Sequence, residues 1–388
     1  MKKKSPPPSC LRLGLCCIFH EQPIKFRNTT VTAIRKMDRD DALVKLSGLC
    51  RTNADSLQAA LLFCADNGIG SFRVNSQILP VKTHSECGYD MPDLPDGDEI
   101  VNRFKACGEF ASANNIRTCF HPDQSVVLNS PKPDVVERSV AELEYQCEVA
   151  EWINADVVNI HGGGAYGDKP SAQEAFARNL SQLSDRVRSR LTVENDDVTY
   201  TPSDLLPVCR AEGIPLVYDV HHHRCNQDEL SVEEATDQAL ATWNREPLFH
   251  ISSPIEGWNG PKPRRHHDFI GIEDFPECWR GQTMTVEVEA KAKEVAVLKL
   301  KRQLVEQWIV YMLRCADCSL YTGITNDLDR RFGQHNAGTA SRYTRSRLPV
   351  VLEYQEKQPS KSAALKRELA IKALSRKAKE MLITAAMT

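Results

Sequence analysis

Short apolar runs alternate with longer stretches of helical periodicity from residue 11 to about residue 305. The runs are Leu11–Cys16, Ser71–Asn75, Ile116–Phe120, Val157–Ile160, Leu191–Val193, Leu216–Tyr218, Leu248–Ile251 and Met284–Val288. They are too short for helices and read as buried strands. Between them, Ala54–Asp66, Glu99–Ala113, Asp134–Asn154, Ala172–Arg188 and Val232–Asn244 carry apolar positions at helical spacing. Eight strand-then-helix units predict an α/β fold, a (β/α)8 TIM barrel spanning 11–304, after a flexible tail at 1–10.

Past the charged stretch Lys291–Gln307, which reads as a last barrel helix and connector, the pattern changes. Trp308–Arg314 and Leu320–Thr325 read as a hairpin, followed by a helix Asp327–Asn336, a strand Val350–Tyr354 and a basic helix Lys361–Lys379. A small α+β domain is therefore expected over 306–388. From Glu306 onward there are 14 Lys and Arg against 8 Asp and Glu, and 35 against 44 in the remainder. A basic end on an acidic body suits phosphate binding by the C-terminal piece.

The strand ends carry the chemistry. His121 and His161 end strands three and four, Glu194 ends strand five, and Asp219 and His222 end strand six. His250 lies in strand seven, Glu289 ends strand eight, and His84 and His266 lie in neighbouring loops. One histidine at a strand end is more often structural, but in a barrel these ends converge at one mouth. Imidazoles and carboxylates gathered there repel or stay unpaired unless cations join them, so two or three divalent ions are expected. His221, His223 and His267 are expected to point elsewhere, as outer support or surface. Gly162-Gly163-Gly164 either cradles a phosphate or lets backbone pass close to the mouth.

Fourteen cysteines without paired spacing favour reduced thiols in the cytoplasm. Cys315 and Cys318 fall in the hairpin turn with no second pair to complete a zinc site. The basic start Met1-Lys2-Lys3-Lys4 mimics a signal peptide, but Pro6-Pro7-Pro8 and Arg12 interrupt its apolar region. No run is long enough to span a bilayer, and no organic cofactor is expected.

Several motifs resemble the UV damage endonuclease family, in family order over about residues 10–300. They are Phe72-Arg73-Val74-Asn75-Ser76 with Pro80 and His84, His121-Pro122-Asp123-Gln124, and His161-Gly162-Gly163-Gly164-Ala165-Tyr166-Gly167-Asp168-Lys169. Glu194-Asn195-Asp196, Asp219-Val220-His221-His222, His266-His267-Asp268 and Glu289-Ala290-Lys291 complete the series. The resemblance implies a DNA repair endonuclease that nicks 5′ of a pyrimidine dimer in damaged duplex, here in nucleoid DNA, and leaves a 3′-hydroxyl. It implies up to three metals, usually manganese, on His84, His121, His161, Glu194, Asp219, His222, His250, His266 and Glu289, with Glu194 placed to bridge two ions. It also implies contact of Lys169 with DNA and a Gln124 that probes the gap opposite the lesion. Ser125 stands where the family usually has an aromatic residue. Leu248 stands where it tends to have a lysine thought to be modified and metal-bridging.

In the C-terminal piece, Val310-Tyr311-Met312 and Tyr321-Thr322-Gly323, with Arg331, His335, Asn336 and Glu368, resemble a GIY-YIG nuclease domain. The resemblance implies one magnesium ion on Glu368, transition-state stabilisation by Arg331, and a water positioned or deprotonated by Tyr311 or Tyr321. Arg342 and Arg345, with Arg347, supply a phosphate-binding surface. Three rival readings stay open for the barrel: an abasic-site endonuclease, a sugar isomerase or epimerase, and a damage-binding protein without turnover.

Overall fold

The computed structural model describes residues 11–305, 308–358 and 361–386; the tail at 1–10 and Glu306 and Gln307 of the connector lie outside them. The chain divides into two compact units, Met1–Lys299 and Leu300–Thr388.

The first unit holds eight parallel strands: β1 (Leu11–Cys16), β2 (Ser71–Val74), β3 (Arg117–Phe120), β4 (Val157–His161), β5 (Leu191–Glu194), β6 (Leu216–Val217), β7 (Leu248–Ile251) and β8 (Met284–Val288). Their order is β6-β5-β4-β3-β2-β1-β8-β7. The ring closes between β6 and β7, where Asp219 bridges His250 and the His250 N–H donates to the Tyr218 carbonyl at 3.1 Å. The closure thus falls on two of the candidate ligands. β2, β5, β7 and β8 are buried throughout, as parallel strands covered on both faces must be.

Register decides which side chains share the barrel interior. Asn159 lies beside Thr192, His161 beside Glu194, and Glu194 beside Val217. His250 lies beside Glu287, which lies beside Gly14. One layer nearer the N-terminal ends, Cys119, Val157, Val217 and Leu248 form a contiguous apolar cluster with Trp243. Each precedes a polar strand-end residue by two or four positions and so faces the same way. The mouth is polar and its floor is hydrocarbon.

Three helices differ from the sequence reading. The first long helix runs Arg39–Asn67, well beyond Ala54–Asp66. Its extra turns contain Gly48, Thr52 and Asn53, which weaken the helical signal. Asn53 is nonetheless fully buried, its amide bonding the backbone of Arg27 and Ile78. Ala172–Arg188 is split into Lys169–Leu180 and Asp185–Arg188, with Ser184 capping the second piece through Val187 N–H. Lys361–Lys379 is likewise split at Leu374-Ser375 into Lys361–Ala373 and Arg376–Ala386.

The second unit is an antiparallel sheet of order β10-β9-β11, built from β9 (Trp308–Cys315), β10 (Leu320–Thr325) and β11 (Val350–Gln358). Alternation along β9 buries both faces. Val310 and Met312 pack with Ala364, Ile371 and Ile383 of the two C-terminal helices. Tyr311, Leu313 and Cys315 pack on the other side with Leu328 and Phe332 of the helix Leu328–Asn336. Among the described residues all cysteines are free, and no helix is long and apolar enough to cross a membrane.

Candidate active site

Glu194 stands at the middle of the barrel mouth. Its Oε2 accepts from Asn159 Nδ2 at 2.6 Å and lies 2.9 Å from His121 Nε2. Its Oε1 lies 3.1 Å from His250 Nδ1 and 3.2 Å from His222 Nδ1, and meets neither in hydrogen-bond geometry. Asp219 caps the short helix Val220–Cys225, its Oδ1 accepting the His222 N–H at 2.8 Å. That turn swings the His222 ring back beside the carboxylate. The His161 ring lies 5.0 Å from His121 and 5.9 Å from His222, centroid to centroid. Two sets of ligand atoms are close enough to hold an ion, His121/Glu194/His250 and Glu194/Asp219/His222, and they share Glu194.

The donor set fits divalent cations. The nearest acceptor to His121 Nδ1 is its neighbour's carbonyl, Pro122 O at 3.1 Å. With the ring proton on that nitrogen, Nε2 would turn a lone pair to the carboxylate side, where a cation between the two fits. His161 Nδ1, Glu194 Oε1, Asp219 Oδ2 and His250 Nδ1 are buried without a hydrogen-bond partner. Such atoms are rare in native interiors, and a divalent ion held between them would satisfy them. Burial pushes His161 below its ordinary value. Burial acts the same way on His222 and His250, but Asp219 and Glu194 outweigh it at His222, and Glu194 leads the opposition that lifts His250 to about 10. Burial opposes ionisation of Glu194, yet His250 and His161 hold it well below the usual carboxylate range.

The remaining candidates sit further out. Glu289 follows β8, its Oε1 held by Arg73 Nη2 at 2.7 Å, and His266 Nδ1 is 3.8 Å from its Oε2. His84 is the one proposed ligand that the structure leaves apart. Its Nδ1 accepts from the backbone N–H groups of Glu86 and Cys87, and no ring contact or ion pair joins it to the cluster among the described residues. Gln124 and Ser125 are exposed in the turn after β3, where Asp123 Oδ1 accepts the Ser125 N–H. Lys169 is already paired, with Asp204 at 2.7 Å. The glycine triplet makes a close approach: Gly163 has φ 84°, and a Cβ there would overlap the side chain of Asn129, whose amide donates to the carbonyls of Gly162 and Gly164.

In the second unit, Tyr311 and Tyr321 lie on β9 and β10 with ring centroids 6.3 Å apart. Tyr311 Oη is 2.9 Å from His335 Nε2, and His335 Nδ1 is 2.8 Å from Thr344 Oγ1. Tyr311, and less so Tyr321, raise the Arg331 guanidinium further. Burial pushes Tyr311 up to about 12 against the pull of Arg331. Gly323 makes the crowding possible, since a Cβ there would lie 2.7 Å from Tyr311 Oη. Glu368 acts on Tyr311 from the helix Lys361–Ala373, and its Oε1 accepts from Lys372 at 2.9 Å. Arg342 and Arg345 are exposed on the short helix Arg342–Arg345, whereas Arg347 is paired with Asp317 at 2.9 Å.

Known proteins match both units. The UV-endonuclease UvdE family profile covers residues 11–315. The chain belongs to the UV-endonuclease UvdE family. A UV DNA damage endonuclease of Bacillus velezensis is 32% identical over 301 residues, 74% of this chain and 91% of that protein. One from Bacillus pumilus is 30% identical over 72% of this chain and 88% of that protein. The crystal structure of SacUVDE superposes with a TM-score of 0.68 at 25% identity, over 76% of this chain and 98% of that one. The GIY-YIG catalytic domain profile covers residues 307–381. The chain is thus a DNA endonuclease of the UvdE family carrying a second nuclease fold.

Within the UvdE barrel, sequence reasoning passed over the residues that hold the ligands. Arg73 was noted only as part of a motif. Its Nε donates to Glu287 Oε2 at 2.5 Å, and its Nη2 lies 3.0 Å from His250 Nε2. Glu287 precedes Glu289 by two positions on the same strand face, a spacing that could have flagged it. Asn159 and Asn195 steady Glu194 and Asp219, the latter through paired backbone bonds at 2.9 and 3.0 Å. His221 and His223 are buried. His223 bridges Tyr218 and Asp228, and the His221 ring packs against Trp258 and His266. Leu248, at the position where the family tends to place lysine, belongs to the apolar floor.

Proposed function

We propose that the barrel incises the DNA backbone immediately 5′ of UV photoproducts such as pyrimidine dimers, leaving a 3′-hydroxyl. The observation that carries this reading is the convergence of His121, Glu194, Asp219, His222 and His250 on two ligand sets sharing one carboxylate, in a chain of this family. His161, His266 and Glu289 lie within reach of those sets, and manganese is the proposed metal. His84 joins only if its Nδ1 leaves the turn it holds. Ions held there supply positive charge to the phosphodiester oxygens and to the attacking water during in-line displacement.

The chain's own residues do the rest. Asn159 fixes the Glu194 carboxylate through Oε2, leaving Oε1 turned toward His222 and His250. Gln124, exposed at the loop tip, enters the helix where the distorted dimer leaves the stack, since a lesion has less pairing energy to lose. Ser125 cannot stack, so lesion grip rests more on Gln124 and backbone contacts. Lys169 contributes to DNA binding by exchanging Asp204 for a phosphate. Damaged duplex DNA is the partner, and the cytoplasm, with its nucleoid DNA, is the setting proposed for the reduced thiols.

For the C-terminal unit we assign a second cut, or retention of the nicked strand. Tyr311 or Tyr321 orients a water, Arg331 meets the phosphate, Glu368 holds one magnesium ion, and Arg342 and Arg345 bind the backbone electrostatically.

Duplexes carrying one dimer, one abasic site or no lesion, incubated with manganese-loaded protein, test the barrel reading. Nicking confined to the site 5′ of the dimer is expected. Preference for the abasic duplex favours the abasic-site reading, and binding without nicking favours a damage-binding protein.

A further inference from the structure

We propose that the Arg73 guanidinium is a permanent third cation of the barrel mouth, so that the centre takes two divalent ions and not three. The inference rests on the metal-centre reading above and fixes its stoichiometry.

Arg73 is buried inside the barrel, yet its Nη2 lies 2.7 Å from Glu289 Oε1, 2.5 Å from Glu287 Oε2 and 3.0 Å from His250 Nε2. Two carboxylate oxygens and an imidazole nitrogen around one point are the donors that a divalent ion would take. Here a guanidinium nitrogen fills that point. A planar, always-charged group matches carboxylates on two sides in a way that no hydrated ion needs to supplement.

The site is built to hold it. Glu287 is buried and fully used, with Oε2 on Arg73 and Oε1 accepting from Cys119 Sγ at 2.8 Å. Gly14 stands opposite Glu287 in register, and a Cβ there would lie 3.2 Å from Glu287 Cγ. The glycine leaves the room that the carboxylate occupies. Below lies the apolar floor of Cys119, Val157, Val217 and Leu248, which offers no further ligand.

Charge balance points the same way. Four carboxylates line the mouth: Glu194, Asp219, Glu287 and Glu289. Two divalent ions cancel them, and Arg73 leaves one positive charge to meet one phosphodiester anion. A third ion would leave the mouth with three uncompensated charges. His250 Nε2 lies 3.0 Å from Arg73 Nη2 and 3.2 Å from Glu287 Oε2. Arg73 and Glu287 together then orient both His250 and Glu289, as outer partners of metal ligands do. Arg73 is thus a positioning residue.

The test counts ions per full-length chain after manganese loading and desalting. A Glu368→Ala background keeps any ion of the C-terminal unit out of the count. The unaltered barrel is expected to hold two. Arg73→Lys keeps a charge but loses the fork, and should hold two with affinity weakened about 10- to 100-fold. Arg73→Met should hold three, and the melting temperature it loses without metal should return on adding manganese. Three ions in the unaltered barrel, or a folded Arg73→Met protein holding two, would overturn the proposal. If Arg73→Met does not fold, the Arg73→Lys protein decides: unchanged affinity refutes, weakened affinity supports. The count is independent of cutting, so a barrel that holds two ions and leaves dimers intact refutes the proposed function alone.

Discussion

His121 Nε2 faces Glu194 Oε2 across 2.9 Å while the other nitrogen of the same ring lies 3.1 Å from the Pro122 carbonyl. A neutral ring donates once, either to the backbone carbonyl or to the carboxylate. With the proton on the carbonyl side, the Nε2 lone pair and the Glu194 carboxylate would together face a bound cation. Asn159 braces the same carboxylate oxygen from the strand beside it. The consequences can be measured one at a time.

Asn159→Ala removes a support and leaves every ligand in place. Manganese affinity should fall about 10- to 100-fold, as it does when outer partners of metal ligands are lost. Calorimetric titration reads this, and an unchanged affinity would mean that Glu194 is held without Asn159.

Ser125→Tyr places an aromatic ring beside Gln124 at the exposed loop tip. Base–aromatic stacking contributes about 1–3 kcal/mol. Binding to a dimer duplex should tighten about 5- to 150-fold, measured by anisotropy in a Glu194→Gln protein so that no cutting intervenes. Equal tightening on undamaged duplex would show stacking that does not report the lesion.

Gly323→Ala drives a methyl group into Tyr311 Oη, and Glu368→Ala removes the proposed magnesium ligand. Each should abolish any second cut on a duplex labelled at both ends while the 5′ incision persists. Products identical to those of the unaltered protein would eliminate the second cut.

Burial, helped by Arg331, depresses His335 to about 4, whereas an unfolded histidine titrates near ~6.5. Between those values the unfolded chain binds a proton that the folded unit refuses, so stability rises with pH in that window. Acidification from neutrality toward about pH 4 should therefore loosen the C-terminal unit. Hydrogen exchange of residues 308–345, corrected for intrinsic rates, follows this. The slope should vanish in His335→Gln, and its persistence would place the titrating group elsewhere.

The strand ends were legible because two signals coincide there, an apolar run and an abrupt imidazole or carboxylate. His121, His161, Glu194, Asp219 and Glu289 announce themselves in this way, whereas His222 follows in the next turn and His250 lies within its strand. Arg73 and Glu287 do not, because a charge within a strand reads as a solvent-facing position until register turns it inward. Nor does Asn53, a poor helix former whose buried amide holds a loop of the chain by backbone bonds. His84 is a different case. It has the right residue type in the right loop, but its ring nitrogen serves its own turn. The breaks at Ser184 and Ser375 show a single serine cap outweighing continued apolar periodicity.

Anomalous diffraction at the manganese edge from metal-soaked crystals tests the central claim directly. Two peaks are expected, one on each side of the Glu194 carboxylate, the first beside His121 and His250 and the second beside Asp219 and His222. A barrel mouth without anomalous density at saturating manganese, or density held only by residues away from Glu194, would contradict the account.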